Sequence, residues 1–385
     1  MTTQATLESE TSLGGRVLYM ALELSDTTWK VLFTTAAGRR RERNVPARDL
    51  ARLLAEIATA KAKLKLAADA KVVSCYEAGR DGFWLNRALS LHGIDNHVID
   101  SSSIEVPRHM RHKKTDRVDV IKLSGLLMRF AGGERDLLKV ARVPEVADED
   151  VRQLSRSIER LKNEHGRHVT RIKSLLAKEG LKLSKVGGRD WPSRVSGLRL
   201  WNGAALGPWL QRDLVFEGQR LALVAGQLAE LKAERDKLIA TAKAGAGAKA
   251  RQLMRLGSIA WESSFVFATE VFGWRTFANR RELAGSVGIV PTPYNSGNSA
   301  REQGLSKAGN KRMRTMLVEI AWCWLRYQPQ SALAQWWQRR FGKTGGRARK
   351  VAIVALARKL LVAMWRYLEH GVVPENANLK PEVAA

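Results

Sequence analysis

The chain predicts a mixed α/β domain followed by mainly helical sequence, and three observations predict it. The first third opens with two apolar strand-like runs and then alternates helix and strand. The middle third carries two long amphipathic stripes. The last third has helical spacing apart from one segment rich in Gly, Pro, Asn and Ser. Alternation of this kind indicates a sheet covered by helices, with function at the strand ends.

Val17 to Leu24 is nearly unbroken apolar sequence, which suits a strand covered on both faces, and Trp29 to Thr35 reads as its partner after a polar Ser25-Asp26 turn. Pro46 precedes a helical stretch, Ala47 to Leu66, with Leu50, Leu53, Leu54 and Ile57 on one stripe. Lys71 to Tyr76 is a short strand ending at Glu77, Asp81 to Leu91 is helical, and Asn96 to Asp100 is a further strand. This domain closes near Gly133 and is assigned to residues 1–140. A middle segment, 145–242, has Val151, Leu154, Ile158, Leu161, Ile172 and Leu175 at spacings of three and four. Leu221, Val224, Leu228, Leu231 and Leu238 repeat the pattern after an irregular stretch from Gly187 to Gly207. The two stripes suit an antiparallel helical hairpin, a dimerising coiled coil, or two amphipathic helices packed on their own domain. Ala242 to Ala250 reads as a hinge. Residues 250–375 read as helical over Arg251 to Phe272, Arg280 to Val287, Lys311 to Tyr327, Ala332 to Phe341 and Lys350 to His370. The exception, Gly288 to Lys307, reads as a loop, and a loop of that length inside a helical domain is more often functional than idle.

Charge narrows the function. With 65 Lys+Arg against 38 Asp+Glu, the net charge of +27 favours polyanions, held through phosphate contacts with strongly salt-dependent affinity. No membrane span is predicted, because Arg358 and Lys359 interrupt the longest apolar C-terminal run. The start, Met1 to Gly15, lacks a basic region followed by an apolar core, so no secretion signal is predicted. Cys75 and Cys323 are too few for a disulfide framework or a zinc cluster, and a reducing cytoplasm is the expected location.

Against that basic background, Glu23, Glu77, Asp116 and Asp119 stand inside or at the ends of apolar or basic segments. A carboxylate among apolar neighbours is costly unless it is paired or binds a metal. Asp116 and Asp119 fall three residues apart at the start of a predicted helix, hence on one face, where the helix N-terminus tolerates their charge. Glu77 follows a strand and Glu23 comes from its neighbour, so one sheet end can gather all four. Magnesium suits such hard oxygen ligands and stabilises the attacking and leaving oxygens of phosphoryl transfer. Singly, each acid also suits a structural role: Asp116 as a helix cap, Asp119 in a surface pair with Lys122, Glu77 as a helix-start charge and Glu23 on an edge strand.

The segment Gly288 to Ser299 contains Tyr294-Asn295-Ser296-Gly297, followed by Arg301, Lys307, Asn310, Lys311, Arg312 and Arg314. A hydroxyl beside Gly can be exposed to a phosphate, with nearby cations stabilising the charge that develops on attack. A turn serine that bonds only its own backbone is the alternative, and Ser299 and Ser306 compete on the same grounds. Lys113 and Lys114 precede the Asp pair, and Lys343, Arg347, Arg349 and Lys350 flank Gly342 to Gly346. Together with the cations after Ser296 and Asn310, these are the candidate nucleic-acid contacts. Trp322, Trp324, Trp336, Trp337 and Trp365 read mostly as core at helical spacing.

The ordered set Glu23-Leu24-Ser25, Glu77-Ala78-Gly79, Lys114-Thr115-Asp116-Arg117-Val118-Asp119, Tyr294-Asn295-Ser296-Gly297 and Ser306-Lys307-Ala308-Gly309-Asn310 resembles the IS110 family of insertion-sequence transposases. The tail, with Gln328-Pro329-Gln330-Ser331 and Val354 to Leu360, resembles its IS1111 branch. The resemblance runs from about Val17 to Pro374. It implies an N-terminal RuvC-like domain of ribonuclease H fold whose Glu23, Glu77, Asp116 and Asp119 bind Mg2+. It further implies a coiled-coil assembly segment and a helical transposase domain in which Ser296 is the nucleophile, linked covalently to DNA during strand exchange. The family acts on donor and target double-stranded DNA guided by a structured non-coding bridge RNA, and builds each site from the acids of one subunit and the serine of another. A homo-oligomer, dimer to tetramer, in the bacterial cytoplasm at the nucleoid is therefore expected. Two departures stand out: Glu23 replaces the Asp of many relatives, and Gly257-Ser258-Ile259-Ala260 replaces their usual Gly-Ile-Gly. Two rivals remain from the residues alone, a metal nuclease using water as nucleophile and a non-catalytic RNA-binding assembly protein.

Overall fold

The structure, a computed structural model, describes residues 17–100, 116–296 and 299–381; side chains of 116–118 and 293–303 lie outside the description. The chain divides into two compact units, Met1–Val143 and Pro144–Ala385.

The first unit is a five-stranded sheet in the order β3-β2-β1-β4-β5. Its strands are β1 (Val17–Glu23), β2 (Thr28–Thr34), β3 (Arg40–Pro46), β4 (Lys71–Glu77) and β5 (Asp95–Ile99). The first three form an antiparallel meander, while β1, β4 and β5 run parallel. Crossovers run through α1 (Leu50–Lys63) and α2 (Trp84–Leu91), and α3 (Asp116–Ala131) follows the sheet. Because side chains alternate along a strand, Leu18, Met20 and Leu22 enter one core with Trp29, Phe33, Leu53 and Tyr76. Ala21, Val73 and Cys75 enter a second core on the opposite face with Val120, Leu123 and Leu127 of α3. The predicted apolar runs thus form the sheet centre. Glu23 is corrected on one count: β1 is the middle strand, not an edge.

The sequence reading has no β3, because Arg40-Arg41-Glu42-Arg43-Asn44 lacks apolar alternation. It forms an edge strand, where charge deters further pairing. Its inward-facing Arg41 bonds the buried Glu56 at 3.0 Å.

In the second unit, α4 (Val146–Lys178) and α6 (Pro208–Thr241) pack against each other. Their direction is antiparallel: Val151 and Leu154 share a core with Ile239, while Ile172 and Leu176 share one with Leu214 and Leu221. A short helix, α5 (Trp191–Gly197), caps the far end, its Trp191 packed so closely on Gly218 that a Cβ there would stand 2.1 Å from the indole. Of the readings the two stripes left open, the antiparallel helical hairpin is the one this chain forms.

The predicted hinge is largely α7 (Gly245–Met254), and the predicted Arg251 to Phe272 helix is two pieces. α8 (Trp261–Phe267) runs into a π-helical turn, Ala268–Phe272, after a break at Gly257. Then come α9 (Arg280–Val287), the strands β6 (Pro291–Ser296) and β7 (Ser299–Leu305), and α10 (Lys311–Tyr327), α11 (Ala332–Phe341) and α12 (Gly346–His370). The expected loop from Gly288 to Lys307 is thus a β-hairpin. Pro291 and Pro293 argue against a strand only in a sheet interior; a two-stranded ribbon consists of edges and tolerates them. Trp324 and Trp337 are buried in the core of this unit, as expected. Among the described residues, no helix is long and apolar enough to cross a membrane.

Candidate active-site elements in two units

In the first unit, parallel register pairs Leu22 with Tyr76, so Glu23 and Glu77 are the next residues of adjacent strands. Strand alternation carries both onto the face of Ala21 and Cys75, which is the face α3 covers. α3 begins with Asp116, and Asp119 immediately precedes Val120 of that same layer. Glu23 and Glu77 thus share one sheet face, Asp119 lies in the first turn of the helix that covers it, and the Asp116 side chain lies outside the description. Glu23 and Glu77 line one cleft of about 410 Å³ with Ser25, Asp26, Gly79, Arg80 and Asp81. Asp26 holds Arg48 at 3.1 Å and Arg80 at 3.2 Å, and its carboxyl lies below the ordinary carboxylate range through the Arg48 hydrogen bond and both positive charges. Among the described residues, no three His, Cys, Asp or Glu side chains stand close enough together to hold a metal. The donors present are carboxylate oxygens, the type that Mg2+ prefers.

In the second unit, Ser296 is the last paired residue of β6, opposite Ser299. Gly297 and Asn298 join the strands and, with the side chains of Ser296 and Arg301, lie outside the described residues; so do Lys113 and Lys114. The hairpin base is closed by Ser306 N–H to the Val290 carbonyl, 3.0 Å, and Lys307 N–H to the Gly288 carbonyl, 3.2 Å. Two glycines allow this closure. Gly288, at φ +72°, would place a Cβ 1.8 Å from the Ala308 oxygen, and Gly309, at φ +101°, would place one 2.4 Å from the Ser286 oxygen. The Gly309-Asn310 pair singled out in the sequence therefore anchors the hairpin to α9 and α10.

Asn310 caps α10 by accepting from Met313 N–H, and its side-chain amide donates to Glu270 at 2.8 Å. Glu270, on the π turn, is 1% exposed. It also receives Arg152 at 3.1 Å, Arg156 at 3.1 Å and Arg312 at 3.0 Å. Burial pushes its carboxyl up, but the three guanidiniums outweigh that and hold it at about 2. Arg312 also bonds Ser155, and Arg314 donates to the Val287 and Gly309 carbonyls. Of the predicted nucleic-acid contacts, Asn310, Arg312 and Arg314 thus have internal partners. Lys307, Lys311, Lys343, Arg347 and Lys350 are exposed, and exposed Arg349 lies over Trp322 at 5.3 Å. The sequence reading passed over Glu270, although an acid in Phe265-Val266-Phe267-Ala268-Thr269-Glu270-Val271-Phe272 meets the same criterion that selected Glu23 and Glu77.

These features define a class: a strongly basic protein with carboxylates at a sheet end in one unit and a serine on an anchored hairpin in the other. Residues 250–361 match the family model described as "Transposase IS116/IS110/IS902 family". A Sinorhizobium fredii protein named "Putative transposase y4rJ" is 38% identical over 375 residues, 94% of this chain and 94% of its own length. The "Transposase for insertion sequence element IS1111A" of Coxiella burnetii is 24% identical over 295 residues, 75% of each chain. That for IS1328 of Yersinia enterocolitica is 28% identical over 170 residues, 44% of this chain and 48% of its own. The chain belongs to the IS110/IS116/IS902 transposase family.

Proposed function

We propose that the protein cuts and rejoins DNA strands by a serine mechanism, with Ser296 as nucleophile and Glu23, Glu77, Asp116 and Asp119 as ligands of Mg2+. The observation that carries this reading is the hairpin: Ser296 closes the paired part of β6, at the end of the ribbon opposite its glycine-locked base. A nucleophile there reaches a phosphate while the anchored strands fix its position. The order β3-β2-β1-β4-β5, with acids ending β1 and β4 and a helix bearing acids on that face, supports the RuvC-like assignment.

In this mechanism the Ser296 hydroxyl gives up its proton and its oxygen forms a bond to the scissile phosphorus. The bond from phosphorus to one sugar oxygen breaks, and that oxygen leaves as a hydroxyl. The resulting serine ester keeps the phosphodiester energy, so a sugar hydroxyl of the exchanged strand rejoins DNA by displacing Ser296. When bound, Mg2+ supplies charge stabilisation at the phosphate oxygens. The acids would hold that ion, and exposed Lys307 and Lys311 beside the hairpin base attract the strand. The family resemblance further supports guidance by a structured non-coding RNA pairing with donor and target, and a site shared between subunits of a dimer or tetramer.

Ser296→Ala tests the chemistry. A serine recombinase loses both cleavage and the covalent protein–DNA species seen on a denaturing gel, whereas a nuclease using water keeps cutting. Asp119→Ala that leaves cleavage and strand transfer intact refutes the acids' role. Sequencing the RNA that copurifies with the protein tests guidance: a discrete species transcribed beside its own gene is expected.

A further inference from the structure

A second feature of the helical unit lies beside the hairpin. α12 buries Ile353, Leu356, Leu360, Leu361 and Met364 in the core, yet its other face lines an open groove of about 1260 Å³. The opposite wall comes from the start of α9 and the hairpin base. Arg347, Lys350, Arg358, Lys359 and Arg366 line the α12 side, and Arg280, Arg281 and Lys307 line the other. None of these eight cations has an ion-pair partner among the described residues, and no described acid lines the groove. Between the cations the floor is apolar: Ile289, Leu333, Trp336, Val351, Val354 and Val362. Val351 is 63% exposed, and Lys359 sits over the Trp336 ring at 4.6 Å.

We propose that this groove binds an unpaired stretch of nucleic acid, with phosphates on the two cationic rims and base faces on the apolar floor. Eight cations that line one groove, without an ion-pair partner among the described residues, call for a polyanion. A duplex satisfies the rims but presents phosphates and sugars outward, leaving the apolar floor wet. An unpaired strand satisfies both, because every base has an apolar face that stacks without regard to sequence. From Arg347 to Arg366 the helix spans about 28 Å at 1.5 Å per residue, room for up to about eight nucleotides at a stacked spacing of roughly 3.4 Å. The inference goes beyond the serine mechanism and does not require it.

The test compares the full-length protein with Ser296→Ala, Val351→Asp and the double variant K350E/R358E, using a labelled oligothymidylate about twelve nucleotides long and a duplex of equal length. Ser296→Ala should bind the oligothymidylate like wild type, which separates this inference from the nucleophile. K350E/R358E should weaken oligothymidylate binding at least tenfold and flatten its salt dependence, by roughly 0.7 in log–log slope for each phosphate no longer neutralised. Val351→Asp, at a position 63% exposed and with its fold checked by circular dichroism, should weaken the oligothymidylate severalfold and the duplex little. Crosslinks from a 4-thiothymidine strand should map to α12 or Trp336. Equal effects of Val351→Asp on both probes, crosslinks confined elsewhere, or unchanged oligothymidylate binding in K350E/R358E would overturn the proposal.

Discussion

Replacing Glu270 by Gln removes the charge that holds three guanidiniums together beneath the serine hairpin. At about 1.4 kcal/mol per pH unit, holding the carboxyl at about 2 rather than its ordinary 4.5 amounts to about 3 kcal/mol of folded-state stabilisation. That matches the roughly 3–5 kcal/mol expected when one partner of a buried ion cluster is deleted. The folded value is depressed, so the contribution is full above pH 4.5 and fades as pH falls from 4.5 towards 2. Denaturant unfolding followed by circular dichroism should show Glu270→Gln less stable than wild type by about 3 kcal/mol at pH 7. The gap should narrow below pH 4.5, where protonation makes wild type resemble the variant. A gap unchanged from pH 7 to pH 3 would refute the electrostatic account. A gap under about 0.5 kcal/mol at pH 7 would refute the claim that Glu270 braces this unit.

Further outcomes follow from the geometry. Gly288→Ala and Gly309→Ala drive a Cβ into backbone oxygens at left-handed φ, so each should cost more than about 1 kcal/mol in thermal unfolding and impair strand transfer by displacing the hairpin. Gly218→Ala meets the Trp191 ring and should lower stability by about 1–3 kcal/mol, which loss of Trp191 protection from solvent would report. Glu77→Gln changes an exposed side chain, so unfolding should shift by no more than about 0.5 kcal/mol while Mg2+-dependent cleavage falls at least tenfold. Wild-type cleavage by Glu77→Gln would remove that acid from the ligand set.

Much of the first unit was legible because two-faced burial leaves a plain mark: Leu18, Met20, Leu22, Val72 and Tyr76 fill a core that only apolar side chains suit. β3 was not, because an edge strand is held by backbone pairing and by Arg41 on Glu56, and neither leaves an apolar period. The serine segment was legible as something unusual but not as a hairpin. Among the described residues its strands pair only with each other, and Gly288 and Gly309 at its base pack against backbone oxygens across the sequence. The stripes of α4 and α6 announced two helices, while their pairing in one chain depends on which faces meet, a property of distance rather than of either stripe.

One sequence rule, an acid inside apolar sequence, selects Glu23, Glu77 and Glu270 alike, and the surrounding cations separate the kinds. Glu270 is enclosed by Arg152, Arg156 and Arg312, and Glu56 by Arg41, Arg43 and Arg52. A carboxylate so neutralised has its lone pairs committed and acts as a brace. Around the strand-end cleft the guanidiniums of Arg48 and Arg80 go instead to Asp26, and Glu77 is exposed with no ion-pair partner among the described residues. Asp26, joined for Arg48 by Asp81 at 3.7 Å, takes up these guanidiniums and leaves the Glu77 carboxylate outside the described ion pairs. Asp26→Ala leaves Arg48 with Asp81 but removes the ion-pair partner of Arg80, three residues from Glu77; it should weaken Mg2+ activation of cleavage, and added Mg2+ should restore the rate. Activation unchanged in Asp26→Ala would show that Arg80 does not compete for that carboxylate.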